Sequence, residues 1–133
     1  MDHESAKKIA EGFVRAMESA DSSDVFADDV FCDINVPEWR FQVQGVGAVN
    51  DWMRGELPGG CRVASWRSDP TPEGVVVETD QRYDRDGIEI SSRNLHRLEV
   101  RDGRITEWTM YCTGEWSPEL RERQAREAPM LRP

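Results

Sequence analysis

Apolar residues recur at two different periods along this chain, and the change of period divides it in half. From Ser5 to Ala20, Ile9, Phe13 and Met17 return every four residues, with Ala6, Ala10 and Val14 beside them. That spacing predicts an amphipathic helix with one apolar stripe. Asp21-Ser22-Ser23-Asp24 ends it, and Ser22 or Ser23 is placed to cap a short second helix running through Phe26. Val30 to Val36 reads as a strand stopped by Pro37, and Phe41-Gln42-Val43-Gln44 alternates as a second strand before Gly45. A third helix is predicted from about Val46 to Arg54, burying Val49, Trp52 and Met53, with Leu57-Pro58-Gly59-Gly60 as its breaker.

From Cys61 to about Thr113 the period falls to two, and the segment reads as four strands. Asp69-Pro70-Thr71-Pro72-Glu73-Gly74 is the first connection. Arg85-Asp86-Gly87 and Arg101-Asp102-Gly103 are the next two, each with an Asp-Gly pair suited to the positive φ of a hairpin. Between Ile88 and Val100 the odd positions carry Glu89, Arg93, Arg97 and Glu99, so the even face points inward. That places Ile88, Asn94 and His96 in the interior. A three-residue loop with Gly103 left-handed then puts Thr106, Trp108, Met110 and Cys112 on the same face. A two-residue Asp86-Gly87 turn does the same for Val77, Thr79, Gln81 and Tyr83. The alternative register buries Glu78, Asp80 and Arg82; it builds a carboxylate–arginine constellation but costs several kcal/mol per unpaired charge.

Helices followed by an antiparallel meander define an α+β fold: three N-terminal helices packed in a strongly curved antiparallel sheet. Residues 1–116 read as one domain, and 117–133 as a polar C-terminal helix or tail, with Pro118 suited to a first helical turn. The 133 residues are enough for one core, and the net charge of −9 argues against nucleic acid or an anionic membrane as partner. No apolar run approaches the roughly 18 residues of a membrane span. No secretory signal follows MDHESAKK, and three scattered cysteines predict free thiols and a cytoplasmic location. No phosphate loop, HExxH, GxSxG or metal-spaced His pair occurs, so no cofactor is expected.

Three pieces carry a resemblance to the nuclear transport factor 2-like superfamily over about residues 5–116. They are Phe26-Ala27-Asp28-Asp29-Val30, Gly45 ahead of Val49 and Trp52, and Arg101-Asp102-Gly103-Arg104-Ile105-Thr106-Glu107-Trp108 closed by Tyr111. The resemblance implies a cone: a curled sheet around helices, with a pocket at the wide end and a homodimer through the outer sheet face. Leu95, Ile105 and Tyr111 are expected on that face. The superfamily includes ketosteroid isomerase, limonene-epoxide hydrolase, SnoaL-type cyclases and non-catalytic binders, so fold alone does not imply activity. The isomerase's Tyr, Asp base and protonated Asp fall at Phe13, Ile34 and Asn94. The hydrolase's Asp–Arg–Asp set falls at Thr79, Val77 and Met110. The inward Asp of SnoaL-type cyclases falls near Met110 or Cys112. Each of those borrowed carboxylates is missing.

The expected lining is therefore Phe13, Met17, Cys32, Ile34, Val77, Thr79, Gln81, Tyr83, Asn94, His96, Trp108, Met110 and Cys112. His96 is the acid–base candidate near neutral pH, with Asn94 or Tyr83 holding a developing oxyanion. Its alternative is a satisfied core histidine. Trp39 and Arg40 stand near the expected mouth, as a clamp or as a loop or dimer contact, and Asp33 reads as outward. Two functions stay open. One is a SnoaL-like, cofactor-independent isomerase, dehydratase or cyclase acting on a hydrophobic oxygenated metabolite. The other is a binding protein for such a molecule, with an assembly domain as a third and weaker reading.

Overall fold

The computed structural model describes residues 1–21 and 24–132. Helix α1 (His3–Ser19) opens the chain; Asp2 caps it by accepting from the Ser5 backbone N–H at 2.8 Å. Its stripe of Ala6, Ala10, Phe13, Val14 and Met17 is buried, as the four-residue spacing requires. Ala20 closes the helix in the left-handed conformation. Ser22 and Ser23 lie outside the described residues. The short helix expected to reach Phe26 is not formed from Asp24 onward: Asp24 and Val25 make a turn, and Phe26 already belongs to strand β1 (Phe26–Val36).

Strand β2 (Trp39–Gln44) returns along β1, and α2 (Val46–Glu56) crosses below them. Four strands follow: β3 (Arg62–Pro70), β4 (Gly74–Arg85), β5 (Ile88–Arg101) and β6 (Arg104–Cys112). They form one sheet with the order β2-β1-β6-β5-β4-β3. The expected all-antiparallel sheet needs one correction, because β1 and β6 run parallel. Helix α1 packs on β3 and β4 while α2 packs on β1 and β2, so the two helices fill the concave side of an unclosed, curled sheet. The fold is thus the α+β cone. Of the three expected N-terminal helices, α1 and α2 form; α3 (Pro118–Glu127) lies in the polar C-terminal segment, buries no residue and is capped by Ser117.

Both Asp-Gly pairs make two-residue turns, with φ of 54° and 79° at Asp86 and Gly87, and 53° and 76° at Asp102 and Gly103. The first confirms the register that sends Val77, Thr79 and Gln81 inward. The residues of the losing register face outward in ion pairs, Arg82 with Asp80 and Arg93 with Glu78. Ile88, beside the turn, is half exposed although its parity points inward. At the second turn the expected three-residue loop is replaced by a two-residue turn and a bulge, which leaves Thr106 as the extra residue. The bulge resets parity, so Ile105, expected on the outer face, is fully buried together with Trp108. Thr106 is only half-buried, and its hydroxyl donates to the Glu99 carbonyl.

The base of the cone is an aromatic core. The Phe13 ring meets His96 edge-on at 4.7 Å and Trp108 at 5.4 Å, and Phe26 stacks on Trp108 at 5.6 Å. Among the described residues, no helix is long and apolar enough to cross a membrane.

Candidate functional site

A cavity of about 430 Å³ opens at the wide end of the cone, above that aromatic core. Its walls come from α1 (Met17), the end of β1 and the turn after it (Val36, Pro37), α2 and its C-terminal end (Trp52, Met53, Leu57) and β6 (Met110, Cys112). Polar groups enter at two levels. Gln81, Ser92 and Asn94 lie at the floor, and Tyr83, Arg85, Glu56 and Glu115 stand at the mouth. A mostly apolar hollow with a few polar groups converging on it is the usual form of a small-molecule site.

Six of the expected lining residues meet at this cavity: Met17, Gln81, Tyr83, Asn94, Met110 and Cys112. Seven do not. Phe13, Cys32, Ile34, Val77, Thr79, His96 and Trp108 point inward as expected, yet they pack one layer deeper, in the core beneath the floor. Parity tells which face a residue occupies, but not how far along the cone it sits.

His96 shows the consequence. It is fully buried, and burial pushes its imidazole pKa down to about 3, so the ring is neutral. The Trp108 indole N–H lies 3.0 Å from its Nδ1, and the Thr79 hydroxyl lies 3.0 Å from its Nε2. Both ring nitrogens are engaged, and His96 does not line the cavity. The expectation of an acid–base histidine gives way to a core histidine. The expected oxyanion role of Asn94 changes as well. Its amide N–H group is spent on Gln81 Oε1 at 2.6 Å and Ser92 Oγ at 3.3 Å. Its Oδ1 is buried and has no hydrogen-bond partner among the described residues.

At the mouth, the Tyr83 hydroxyl donates to Glu115 Oε2 at 2.7 Å, and Arg85 Nε donates to the same oxygen at 2.9 Å. The Arg85 guanidinium also lies 3.6 Å from the Glu56 carboxylate, so it ties the end of α2 to the loop after β6. Burial, then the Glu115 carboxylate, raises the Tyr83 phenol pKa above its ordinary value. Tyr83 is thereby a standing hydrogen-bond donor. The Trp39–Arg40 clamp is not formed. Trp39 is 71% exposed, and Arg40 makes a two-pronged pair with Asp33, at 2.8 and 2.6 Å, away from the cavity. Asp33 faces outward, as its parity indicated.

Several lining residues escaped the sequence reading. Ser92 lies on the inward face of β5, so its parity already marked it. Trp52 and Met53 were visible as the apolar face of α2. Glu56, Arg85 and Glu115 carried no signal, since they are charged residues at element ends. No three His, Cys, Asp or Glu side chains converge in a metal-binding group among the described residues.

No model of a known protein family matches the chain. No curated protein matches it in sequence. Solved structures do. An NTF2-like protein from Anabaena variabilis superposes with a TM-score of 0.66, covering 86% of this chain and 95% of its own at 18% identity. The chain has the nuclear transport factor 2-like fold. A phenazine biosynthesis-related protein from Pseudomonas aeruginosa shares that fold, at TM-score 0.64 and 16% identity over 98% of this chain and 90% of its own. So does a Bacillus subtilis protein provisionally named an isomerase, at TM-score 0.65 and 17% identity over 85% of this chain and 90% of its own. At these identities the likeness establishes the fold and not the chemistry.

Proposed function

We propose that this nuclear transport factor 2-like domain, residues 1–116, is a binding protein for a small, mostly apolar organic molecule. The observation that carries the reading is the cavity of about 430 Å³, mostly apolar with a few polar groups converging on it, while His96, the acid–base candidate, packs beneath its floor. Trp52 in the wall makes binding visible as a change in tryptophan fluorescence.

The test has two parts. Protein purified from its native host is denatured, and the released small molecules are identified by mass spectrometry; the recovered compound is then titrated against wild type and Met110→Trp, which fills the cavity. Saturable binding to wild type, lost in the variant at unchanged urea midpoint, supports the reading. Equal binding to both, or no compound that rebinds, refutes it.

One observation favours a second reading. Tyr83 and Glu115 form a hydrogen-bonded pair on the cavity wall, where a proton could pass to or from a bound molecule. Such an enzyme would be an isomerase or dehydratase working without His96. Turnover of the recovered compound that survives His96→Gln and is lost in Tyr83→Phe would establish it. A homodimer through the outer sheet face, where Leu95 and Tyr111 stay exposed, belongs to the same proposal. Light scattering at twice the 15.2 kDa chain mass tests it.

A further inference from the structure

We infer that Glu115 sets the ligand class of the cavity: it fills the seat that a ligand carboxylate would take, so the site accepts uncharged molecules and turns away their carboxylate counterparts. This rests on the binding role proposed above and deepens it for the same site.

Two donors at the mouth make the seat. Tyr83 and Arg85 alternate on β4 and line the same cavity. The Tyr83 hydroxyl and Arg85 Nε converge on one oxygen, Glu115 Oε2, at 2.7 and 2.9 Å. A phenol and a guanidinium aimed at a single point are the groups that receive an anion. Here the chain supplies that anion itself, and its backbone holds it there. The Thr113 N–H donates to the Arg93 carbonyl at 3.0 Å, and Trp116 exchanges backbone hydrogen bonds with Ser91 at 2.8 and 3.0 Å. Gly114, between these anchors, has a φ of 92°, and a Cβ there would lie 2.9 Å from Pro37 Cγ. Glycine lets the chain pass this close to the turn after β1. A carboxylate on so short a tether outcompetes one arriving from solution.

The charges around the cavity act in the same direction. Its ionisable lining residues are Glu56, Tyr83, Arg85, Cys112 and Glu115. Burial raises the pKa of the Tyr83 phenol and the Cys112 thiol, so both are neutral at pH 7. Arg85 is the one cation among the described lining residues, and it is already shared: its Nη2 lies 2.9 Å from Glu115 and 3.6 Å from Glu56. A ligand carboxylate therefore meets two like charges and no uncommitted cation.

The test uses 2-naphthamide and 2-naphthoate, which share ring and shape and differ by one charge at pH 7. Calorimetry at low salt measures both on the full chain, as wild type, as Glu115→Ala, and as Glu115→Ala combined with Arg85→Met. Wild type is expected to bind the amide more tightly by about tenfold in Kd. Glu115→Ala empties the seat, so naphthoate should gain about tenfold relative to the amide. Adding Arg85→Met should remove that gain.

Wild-type affinity for naphthoate equal to or above that for the amide overturns the inference, as does a ratio that Glu115→Ala leaves unmoved. A gain that survives Arg85→Met also overturns it, because relief of general repulsion and not an emptied seat then explains the change. Each of these results leaves the binding reading standing. Binding of neither probe by any of the three chains removes the binding reading, and this inference falls with it. The wild-type comparison stands whether or not the variants fold.

Discussion

Acidification should destabilise this fold through His96, by an amount that the structure sets. The imidazole is neutral in the folded chain, with its pKa held down to about 3 by burial, against 6.5 for an unperturbed histidine. Between those two values the unfolded chain binds a proton that the folded chain refuses. Stability is therefore full above about pH 6.5 and falls as the pH drops toward 3, by about 1.4 kcal/mol per pH unit. From about pH 7.5 to about pH 5 the loss integrates to about 2 kcal/mol. Urea unfolding followed by tryptophan fluorescence measures it, in wild type and in His96→Gln. The glutamine keeps an acceptor toward Trp108 and donors toward Thr79, but it does not titrate. Carboxylates contribute equally to both chains, so the difference between their pH responses belongs to His96. The two should diverge by about 2 kcal/mol over that interval. If wild type loses no more than the variant, His96 is protonated inside the fold. Its isolation from the cavity would then be wrong, and the acid–base role would return.

Other outcomes rest on the same geometry. Phe13→Ala removes a fully buried ring that contacts Phe26, His96 and Trp108, and should cost about 3–5 kcal/mol in urea unfolding; a loss under about 1 kcal/mol would mean a loosely packed core. Gly59 and Gly60 both have positive φ, 81° and 83°, but a Cβ on Gly60 would sit 1.8 Å from the Glu18 carbonyl oxygen while one on Gly59 meets nothing within 4 Å. Gly59→Ala should cost about 1–2 kcal/mol for left-handed strain alone, and Gly60→Ala clearly more. Burial pushes the Cys32 thiol up to about 12 and the Cys61 thiol up to about 11, so both should resist a disulfide reagent at about pH 8 until the chain unfolds. Half-buried Cys112, in the cavity wall, should be modified first and be protected by a cavity ligand. Arg40→Ala breaks an exposed ion pair outside the cavity; it should change stability by less than about 1 kcal/mol and leave probe affinity unaltered.

Local periodicity by itself determined α1, α2 and the run of strands, the inward faces of α1, β4 and β5, and the position of both Asp-Gly turns, but not the stretch before Phe26, where a strand begins in place of the expected short helix. Each of those depends on residues within a few positions of one another. The choice of register at Asp86-Gly87 was legible for the same reason, since only one of two faces could be buried without stranding Glu78, Asp80 and Arg82. Tertiary structure decided the rest. The bulge at Thr106 turned Ile105 inward because β6 must match β5 and β1 at once, and no pattern within β6 contains that demand. Depth along the cone separated Asn94, at the cavity, from His96, two residues away on the same face but walled off in the aromatic core. The mouth joined Tyr83, Arg85, Glu56 and Glu115 from three distant segments, through charges that alone read as solvated ends. Strand parity carries one bit per residue, in or out. Which inward residues meet a ligand depends on where the helices stop filling the sheet, and that is set by the packing of the whole chain.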